Sequence, residues 1–194
     1  YCIINFMKLI KPKKLQKGDT IGFLSVSGYV KDLQELDFSK KYLENFGYKV
    51  KISDTSYSKD RYFCASEDKR AKALNDFFAD EEIDAIICVR GGYGAIKILD
   101  KIDYVLIKKH PKIFCGFSDI SAILWSIYKN TGLITHHGAH AVSTFRENGF
   151  TQQSFWQNMS DELKSIETNG SFDHKYYGNY LDLLETEAIY GEYV

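Results

Sequence analysis

The sequence predicts an α/β fold, a parallel β-sheet with helices on both faces. The main observation is that short apolar runs, bounded by turn residues, alternate with helical patterns over most of the 194 residues. The hydrophobic share of 44% is ordinary for a globular protein, and a chain of this length can bury a full core. Because parallel strands need crossover connections, we expect right-handed strand–helix–strand units.

Strands are expected where apolar residues run together or alternate with polar ones. The run at 84–89 is almost entirely apolar, as in a strand buried on both faces, whereas residues 48–52 alternate. In chain order, the predicted strands are residues 20–26, 48–52, 84–89, 113–115 and 133–135.

Helices are expected between these strands. Apolar residues recur at helical spacing over 32–46, and Gly47 ends the pattern. Ser66 is typical of an N-cap, and acidic residues follow it in the first turn. One or two short helices are also expected within 151–166. The other predicted helices are residues 66–78, 95–99 and 120–128.

The chain is predicted to be one α/β domain followed by a linker. We expect residues 1–165 to form an N-terminal domain and residues 166–194 to be the linker and the start of a further domain, with the boundary near 165–185. The segment 169–180 is rich in Gly and Tyr, which is typical of a loop. Aromatic residues near this end follow the last predicted strand, so we expect them to expose apolar surface. They are Phe155, Trp156, Tyr176, Tyr177 and Tyr180.

The charge and cysteine content argue against several classes of partner. A net charge of -1 gives no indication of binding to nucleic acid or to an anionic membrane. No apolar run approaches the roughly 18 residues of a membrane span. The four cysteines lack the spacing of a zinc site, and Cys88 and Cys115 fall within predicted buried strands. This usage favours a reducing compartment, so we expect a cytoplasmic location, and no cofactor is expected.

The most informative segment is 111–125, which reads as a short apolar strand, a tight turn and a helix. Ser118 falls on the turn, where its hydroxyl would project from the carboxyl end of the strand beside free helix N–H groups. This arrangement suits a nucleophile beside an oxyanion hole. The hydrolase signature Gly-x-Ser-x-Gly is not met, because Ile120 takes the place of the second Gly. The alternative is that Ser118 or Asp119 is only the N-cap of the helix.

A second predicted strand ends in Arg90 and the turn Gly-Gly-Tyr-Gly. Glycines after a strand allow positive φ angles and a close approach of ligand to backbone. The spacing is not that of a dinucleotide fingerprint or a P-loop, and a plain strand-to-helix turn is the alternative. Because ligands collect at the carboxyl ends of strands in open α/β sheets, the N–H groups of Gly91 and Gly92 are expected to face the space over Ser118. Tyr93 is the best candidate for a substrate contact.

The histidines at 136, 137 and 140 follow the strand expected beside that of Ser118. A base within hydrogen-bond reach would complete a catalytic pair, but for His137 a structural or substrate-lining role is expected. His136 and His140 have the spacing of metal ligands on one helix face. No third ligand is evident, so no metal site is predicted.

Together these segments resemble the LD-carboxypeptidase group of serine peptidases, which includes the microcin C self-immunity peptidases. The matching stretches occur in the family's order. They are Leu15-Gln-Lys-Gly-Asp-Thr-Ile-Gly22, Arg90-Gly-Gly-Tyr-Gly-Ala95, Lys112-Ile-Phe-Cys-Gly-Phe-Ser-Asp-Ile-Ser121 and Thr135-His-His-Gly138. The resemblance implies a flavodoxin-like or class I glutamine-amidotransferase-like sheet.

The resemblance also implies roles for residues of the site. Ser118 is the expected nucleophile, and the backbone N–H groups of Asp119 and Gly92 form the expected oxyanion hole. The implied activity is that of an L,D-carboxypeptidase, which cleaves an amide next to a terminal carboxylate, as in a murein tetrapeptide, through an acyl-enzyme. Arg90 is expected to dock the substrate carboxylate, with a structural salt bridge as the alternative. The residues expected to contact substrate are Arg90, Gly91, Tyr93 and His137.

In the family, the catalytic Glu and His lie in a C-terminal domain, and this sequence shows no counterpart of either. We therefore expect that this domain is missing and that the chain alone is inactive. The full-length protein is expected to be a homodimer that acts on a small peptide or peptide-like substrate in peptidoglycan recycling. Two alternatives remain open. One is a microcin C-type immunity peptidase that acts on an aminoacyl-nucleotide, and the other is a non-catalytic binding module in which Ser118 is only a helix cap.

Overall fold

A computed structural model describes residues 8–145 and 150–160. The five strands of its sheet are parallel and lie in the spatial order β2-β1-β3-β4-β5. The strands are β1 (Thr20–Leu24), β2 (Lys49–Ile52), β3 (Ala85–Cys88), β4 (Ile113–Gly116) and β5 (His136–His137). This is the strand order of flavodoxin-like sheets, so the predicted fold class is confirmed.

Helices connect the strands. Asp32 caps the first of them by accepting from the N–H of Gln34, and Gly47, with a φ of 89°, follows its end. Ser66 caps the second helix, as the sequence predicts. The α-helices are α1 (Leu33–Asn45), α2 (Glu67–Ala79), α3 (Tyr104–Lys109), α4 (Ser121–Thr131), α5 (Ala141–Thr144) and α6 (Phe150–Met159), and the 3-10 helices are Asp54–Ser56, Ala95–Lys101 and Ser118–Ile120. The helices α3 and α5 are not among those predicted from the sequence, because each is too short to show a clear hydrophobic period.

The last strand does not lie at 133–135, where the sequence predicts it. Pairing with β4 begins later, at His136 opposite Cys115. Leu133 instead forms an isolated parallel bridge with Ile10 from the start of the described chain. This bridge joins residues far apart in sequence, so no local apolar pattern distinguishes it from a strand of the main sheet.

Side chains alternate between the two faces of the sheet and form two cores. On β3, Ile86 and Cys88 belong to one buried cluster, while Ala85 and Ile87 belong to the other. The first cluster includes residues of α2, α3 and α4, and the second includes residues of α1, α5 and α6. Helices therefore cover both faces, as predicted. Within the described residues, none of these helices has the length and apolar character that crossing a membrane requires.

The aromatic residues of α6 are part of the core, so the expectation that Phe155 and Trp156 expose apolar surface is wrong. Trp156 has no exposed surface, and its ring stacks on Tyr48 at 5.2 Å and on Phe46 at 5.6 Å between centroids. The rings at the end of α1 and the start of β2 supply the surface on which α6 packs. The other predicted exposed residues, Tyr176, Tyr177 and Tyr180, lie outside the described residues, as does the segment 166–194.

Candidate active site

The turn after β4 holds Ser118 in a strained backbone conformation. Its φ is 60°, and among the non-glycine residues that the structure describes, Arg61 is the other with a positive φ. Such left-handed conformations cost on the order of 1–3 kcal/mol, so the surrounding structure must enforce them. The turn is tight at Gly116, where an added Cβ would lie 2.9 Å from Ile120 Cγ2. Ser118 is exposed at the carboxyl edge of the sheet, where the sequence places it.

Neither Ser118 nor Asp119 caps the helix that follows. The 3-10 turn Ser118–Ile120 and α4 both begin without a side-chain hydrogen bond to their N–H groups. The Ser118 hydroxyl forms no hydrogen bond to any residue that the structure describes. The Asp119 carboxylate instead accepts from Ser27 Oγ at 2.5 Å and from the backbone N–H of Ala95 at 2.8 Å. The alternative that these residues are simple N-caps is therefore wrong.

The glycine-rich turn after β3 lies directly against Ser118. A Cβ built on Gly91 would stand 3.0 Å from Ser118 Cβ and 3.2 Å from Ser118 Oγ, so a side chain there would cover the hydroxyl. Gly92 has a φ of 144°, and its added Cβ would meet the backbone N of Gly28 at 2.8 Å. The first glycine keeps the hydroxyl open, and the second permits the backbone conformation.

The Arg90 side chain supports the loops around this turn. Its Nε donates to the carbonyl of Gly91 at 3.2 Å, and its Nη1 donates to the carbonyl of Tyr29 at 2.9 Å. The guanidinium forms no ion pair with the residues that the structure describes, so the alternative of a structural salt bridge is not observed there. Arg90 is half-buried and remains a candidate for binding a carboxylate.

An open groove of about 480 Å³ lies over the two turns, which is within the size range of small-molecule sites. Residues at and before the start of α1, which follows β1, form one side of it. The residues after β3, β4 and β5 that line it include Arg90, Gly91, Gly92, Phe117, Ser118 and His140. Tyr93 and His137 are exposed but do not line this groove, so their contact with substrate stays a prediction.

His140 lines the groove, although the sequence pattern did not single it out as part of the site. Its ring stacks on Phe117 at 4.0 Å between centroids, and its Nε2 lies 3.2 Å from the backbone N and 3.1 Å from the backbone O of that residue. Burial lowers the pKa of His140 to about 4, so the ring is neutral at neutral pH. The one signal in the sequence was its position shortly after β5.

The described histidines at 136, 137 and 140 are not grouped with other potential metal ligands. Within residues 8–145 and 150–160, no group of three His, Cys, Asp or Glu side chains is arranged to hold an ion. Burial also lowers the pKa of His136 to about 4, and its Nε2 has no hydrogen-bond partner in this part of the chain. The imidazole of His136 is therefore neutral at neutral pH, although part of the residue is exposed to solvent.

Comparison with known proteins identifies the family. Residues 21–138 match the family model of the LD-carboxypeptidase N-terminal domain, and the chain belongs to this family. It is 41% identical over 128 residues to the probable murein peptide carboxypeptidase of Bacillus subtilis (strain 168), covering 66% of this chain and 40% of that protein. It is 31% identical over 160 residues to the microcin C7 self-immunity protein MccF of Escherichia coli, covering 79% and 46% of the two chains.

The fold agrees with a solved structure from the same group. The crystal structure of an MccF-like protein from Bacillus anthracis strain Ames superposes with a TM-score of 0.73 at 35% identity, covering 78% of this chain and 47% of that one. The chain therefore spans less than half the length of these relatives.

Proposed function

We propose that this chain carries the nucleophile of a serine-type carboxypeptidase that cleaves an amide next to a terminal carboxylate. The observation that carries the proposal is the conformation of Ser118. Its side chain is exposed in the groove beside Gly91, and its backbone has a φ of 60°. Strain of this kind persists where the structure over-determines it, and it clusters at active sites. Ser118 Oγ attacks the carbonyl carbon while its proton passes to a base. The amide C–N bond then breaks, and the base returns the proton to the leaving amine. Water finally hydrolyses the acyl-enzyme ester, which releases the new carboxylate and restores the Ser118 hydroxyl.

The oxyanion donors in this proposal are the backbone N–H groups of Gly92 and Asp119. The carbonyl of Gly91 faces Arg90 and Gly28, whose N–H donates to it at 3.3 Å. Because a trans peptide is planar, the N–H of Gly92 points the opposite way. Asp119 lies in the first turn of the helical segment, where N–H groups have no helical partner. Each donor that reaches the oxyanion contributes on the order of 3 kcal/mol.

The general base comes from outside the described residues. His140 is the histidine in the groove, but its depressed pKa and the contacts of its Nε2 with the backbone of Phe117 suit it to a structural role. The relatives are more than twice as long as the segment they share with this chain. We assign the catalytic Glu and His to that additional length. On this basis, the 194-residue chain alone shows no turnover above background.

The substrate is a small peptide-like molecule with a free carboxylate, for which Arg90 is the docking group and Tyr93 and His137 are candidate contacts. A murein tetrapeptide is the first candidate, because the relative that is 41% identical is named a murein peptide carboxypeptidase. An aminoacyl-nucleotide is the second, because another relative is a microcin C7 self-immunity protein. A cytoplasmic homodimer that acts in peptidoglycan recycling is the setting that fits the first substrate.

The test uses the protein encoded by the complete gene. Release of the terminal D-amino acid from a murein tetrapeptide is measured for the wild type, Ser118→Ala and Ser121→Ala, which removes a nearby hydroxyl as a control. We expect Ser118→Ala to abolish release and Ser121→Ala to retain it. Activity that survives in Ser118→Ala contradicts the proposal. Cleavage of an aminoacyl-nucleotide but not of the murein peptide, with the same dependence on Ser118, selects the second substrate.

A further inference from the structure

We infer that the side chain of Asp119 is a positioning residue that fastens the glycine-rich turn to the nucleophile turn. The inference rests on the proposed function, in which the backbone N–H of the same residue is an oxyanion donor. The side chain is a separate matter, because its carboxylate faces other loops and does not approach its own helix N–H groups.

One oxygen atom of Asp119 joins the exits of three neighbouring strands. Oδ2 accepts from Ser27 Oγ at 2.5 Å and from the N–H of Ala95 at 2.8 Å. Ser27 follows β1, Ala95 ends the glycine-rich turn after β3, and Asp119 itself follows β4. Since β1, β3 and β4 are adjacent in the sheet, these bonds link three of the loops that follow strands beside the groove.

The glycine-rich turn needs restraint at both ends. Glycine loses more conformational freedom on folding than any other residue, and both Gly92 and Gly94 have positive φ angles. At its first end, the carbonyl of Gly91 accepts from Gly28 and Arg90. At its last end, Arg70 holds the carbonyl of Gly94, and Asp119 holds the N–H of Ala95.

Of the two restraints at the last end, Asp119 is the one connected to the nucleophile. It is the residue directly after Ser118, whereas Arg70 belongs to α2 and also bonds the carbonyls of Ala65 and Val26. The carboxylate therefore sets the distance between Ser118 and the donor of Gly92. Hydrogen bonds to an ionised acceptor are roughly twice as strong as neutral ones, which suits a group that must hold two backbone segments in register.

The chemistry of the bonds defines the variants. Asp119→Ala removes the acceptor and leaves the backbone N–H of residue 119 in place. Asp119→Asn retains a carbonyl oxygen that can accept both bonds, so it is the conservative rescue. Ser27→Ala removes one donor and leaves the carboxylate, and it keeps the inference testable if Asp119→Ala fails to fold. Asp103→Ala is the matched control, because Asp103 also accepts from a backbone N–H, that of Leu106 at 2.9 Å, but it caps α3 and belongs to neither turn beside Ser118.

The readout is the rate at which 4-nitrophenyl acetate acylates Ser118, followed by intact mass on the protein encoded by the complete gene, with thermal unfolding to confirm the folded state. We expect Asp119→Ala to slow acylation by about 10- to 100-fold, since losing one oxyanion donor costs about 10²–10³ in rate and a displaced donor retains part of its effect. Asp119→Asn restores most of the rate, Ser27→Ala lies between, and Asp103→Ala acylates like the wild type.

Folded Asp119→Ala or Ser27→Ala that acylates at the wild-type rate overturns the inference and leaves the proposed function standing. An equal loss of acylation rate in Asp119→Ala and Asp119→Asn also overturns the inference, because the two hydrogen bonds that Asn retains would then not support the rate. A wild-type protein that is not acylated at Ser118, and that matches Ser118→Ala, contradicts the proposed function itself.

Discussion

Adding one methyl group at Gly91 tests whether the reacting face of Ser118 is the face toward the glycine-rich turn. In Gly91→Ala the new Cβ would stand 3.2 Å from Ser118 Oγ, 3.0 Å from Ser118 Cβ and 3.3 Å from His140 Cε1. These contacts are tight but short of a collision, so the neighbours shift by a few tenths of an ångström. The φ of Gly91 is not in the left-handed region, so the alanine backbone itself is not strained.

The magnitudes separate stability from reactivity. Reduced freedom of the unfolded chain stabilises Gly91→Ala by about 0.4–1 kcal/mol, and overpacking destabilises it by about 1–3 kcal/mol. The net loss is small enough for the protein to remain folded. Reactivity falls much further, because a substrate carbon must approach to about 3–3.5 Å from Ser118 Oγ and the new methyl group, 3.2 Å from that oxygen, stands in the same range. A substrate carbon that the methyl group displaces by about 1 Å reacts about 100-fold more slowly.

The assay is the acylation of Ser118 by 4-nitrophenyl acetate, with urea unfolding in parallel. Gly138→Ala is the matched control, since its added Cβ meets Cys115 Sγ at 3.6 Å, an ordinary contact. We expect Gly91→Ala to lose about 100-fold in acylation rate and Gly138→Ala to lose little. A folded Gly91→Ala that acylates as fast as the wild type would refute the proposed geometry of attack.

Three further predictions concern stability. Trp156→Ala should lower the free energy of unfolding by about 3–5 kcal/mol, because it empties a fully buried site, whereas the exposed Trp125→Ala should change it by about 0.5 kcal/mol or less in urea unfolding. Arg70→Met should cost at least about 3 kcal/mol, since buried Arg70 donates to three backbone carbonyls that would lose their partner; a wild-type urea midpoint would contradict this. The pKa of His140 is lowered from 6.5 to about 4 in the folded state, so the unfolded chain binds the proton first. The contribution of His140 to stability should therefore fall by on the order of 3 kcal/mol as pH drops from 6.5 to 4. His140→Gln should remove this part of the pH dependence and leave the similar part that comes from His136, whose pKa is also lowered to about 4; identical pH profiles for the two proteins would argue against it.

The sequence determined the fold class and the place of the turn at Ser118. Apolar runs of strand length indicate strands that are buried on both faces. Because helical segments alternate with these strands, a parallel sheet covered by helices on both faces is the arrangement that buries them. The turn at Ser118 was also predictable, because a strand, a glycine and a helix start within a few residues are all local features. These signals depend on neighbours in sequence, which is why they can be interpreted without the structure.

The tertiary structure decided the contacts between distant segments. Leu133 pairs with Ile10 and not with the main sheet. Trp156 is buried because its ring stacks on the rings of Phe46 and Tyr48. Each of these outcomes contradicted an expectation from local pattern. A local pattern records which residues are apolar but not which distant surface will cover them.

The bond between Ser27 and Asp119 joins residues 92 positions apart, and the position of His140 on Phe117 likewise depends on how β5 pairs with β4. In the sequence, Asp119 looks like any acidic residue at a helix start, where capping is its usual role. The carboxylate bonds away from the helix because the segments after β1 and β3 lie at the same edge of the sheet and supply its donors, Ser27 Oγ and the N–H of Ala95. That juxtaposition is a product of strand order, which the chain acquires only when the sheet is assembled.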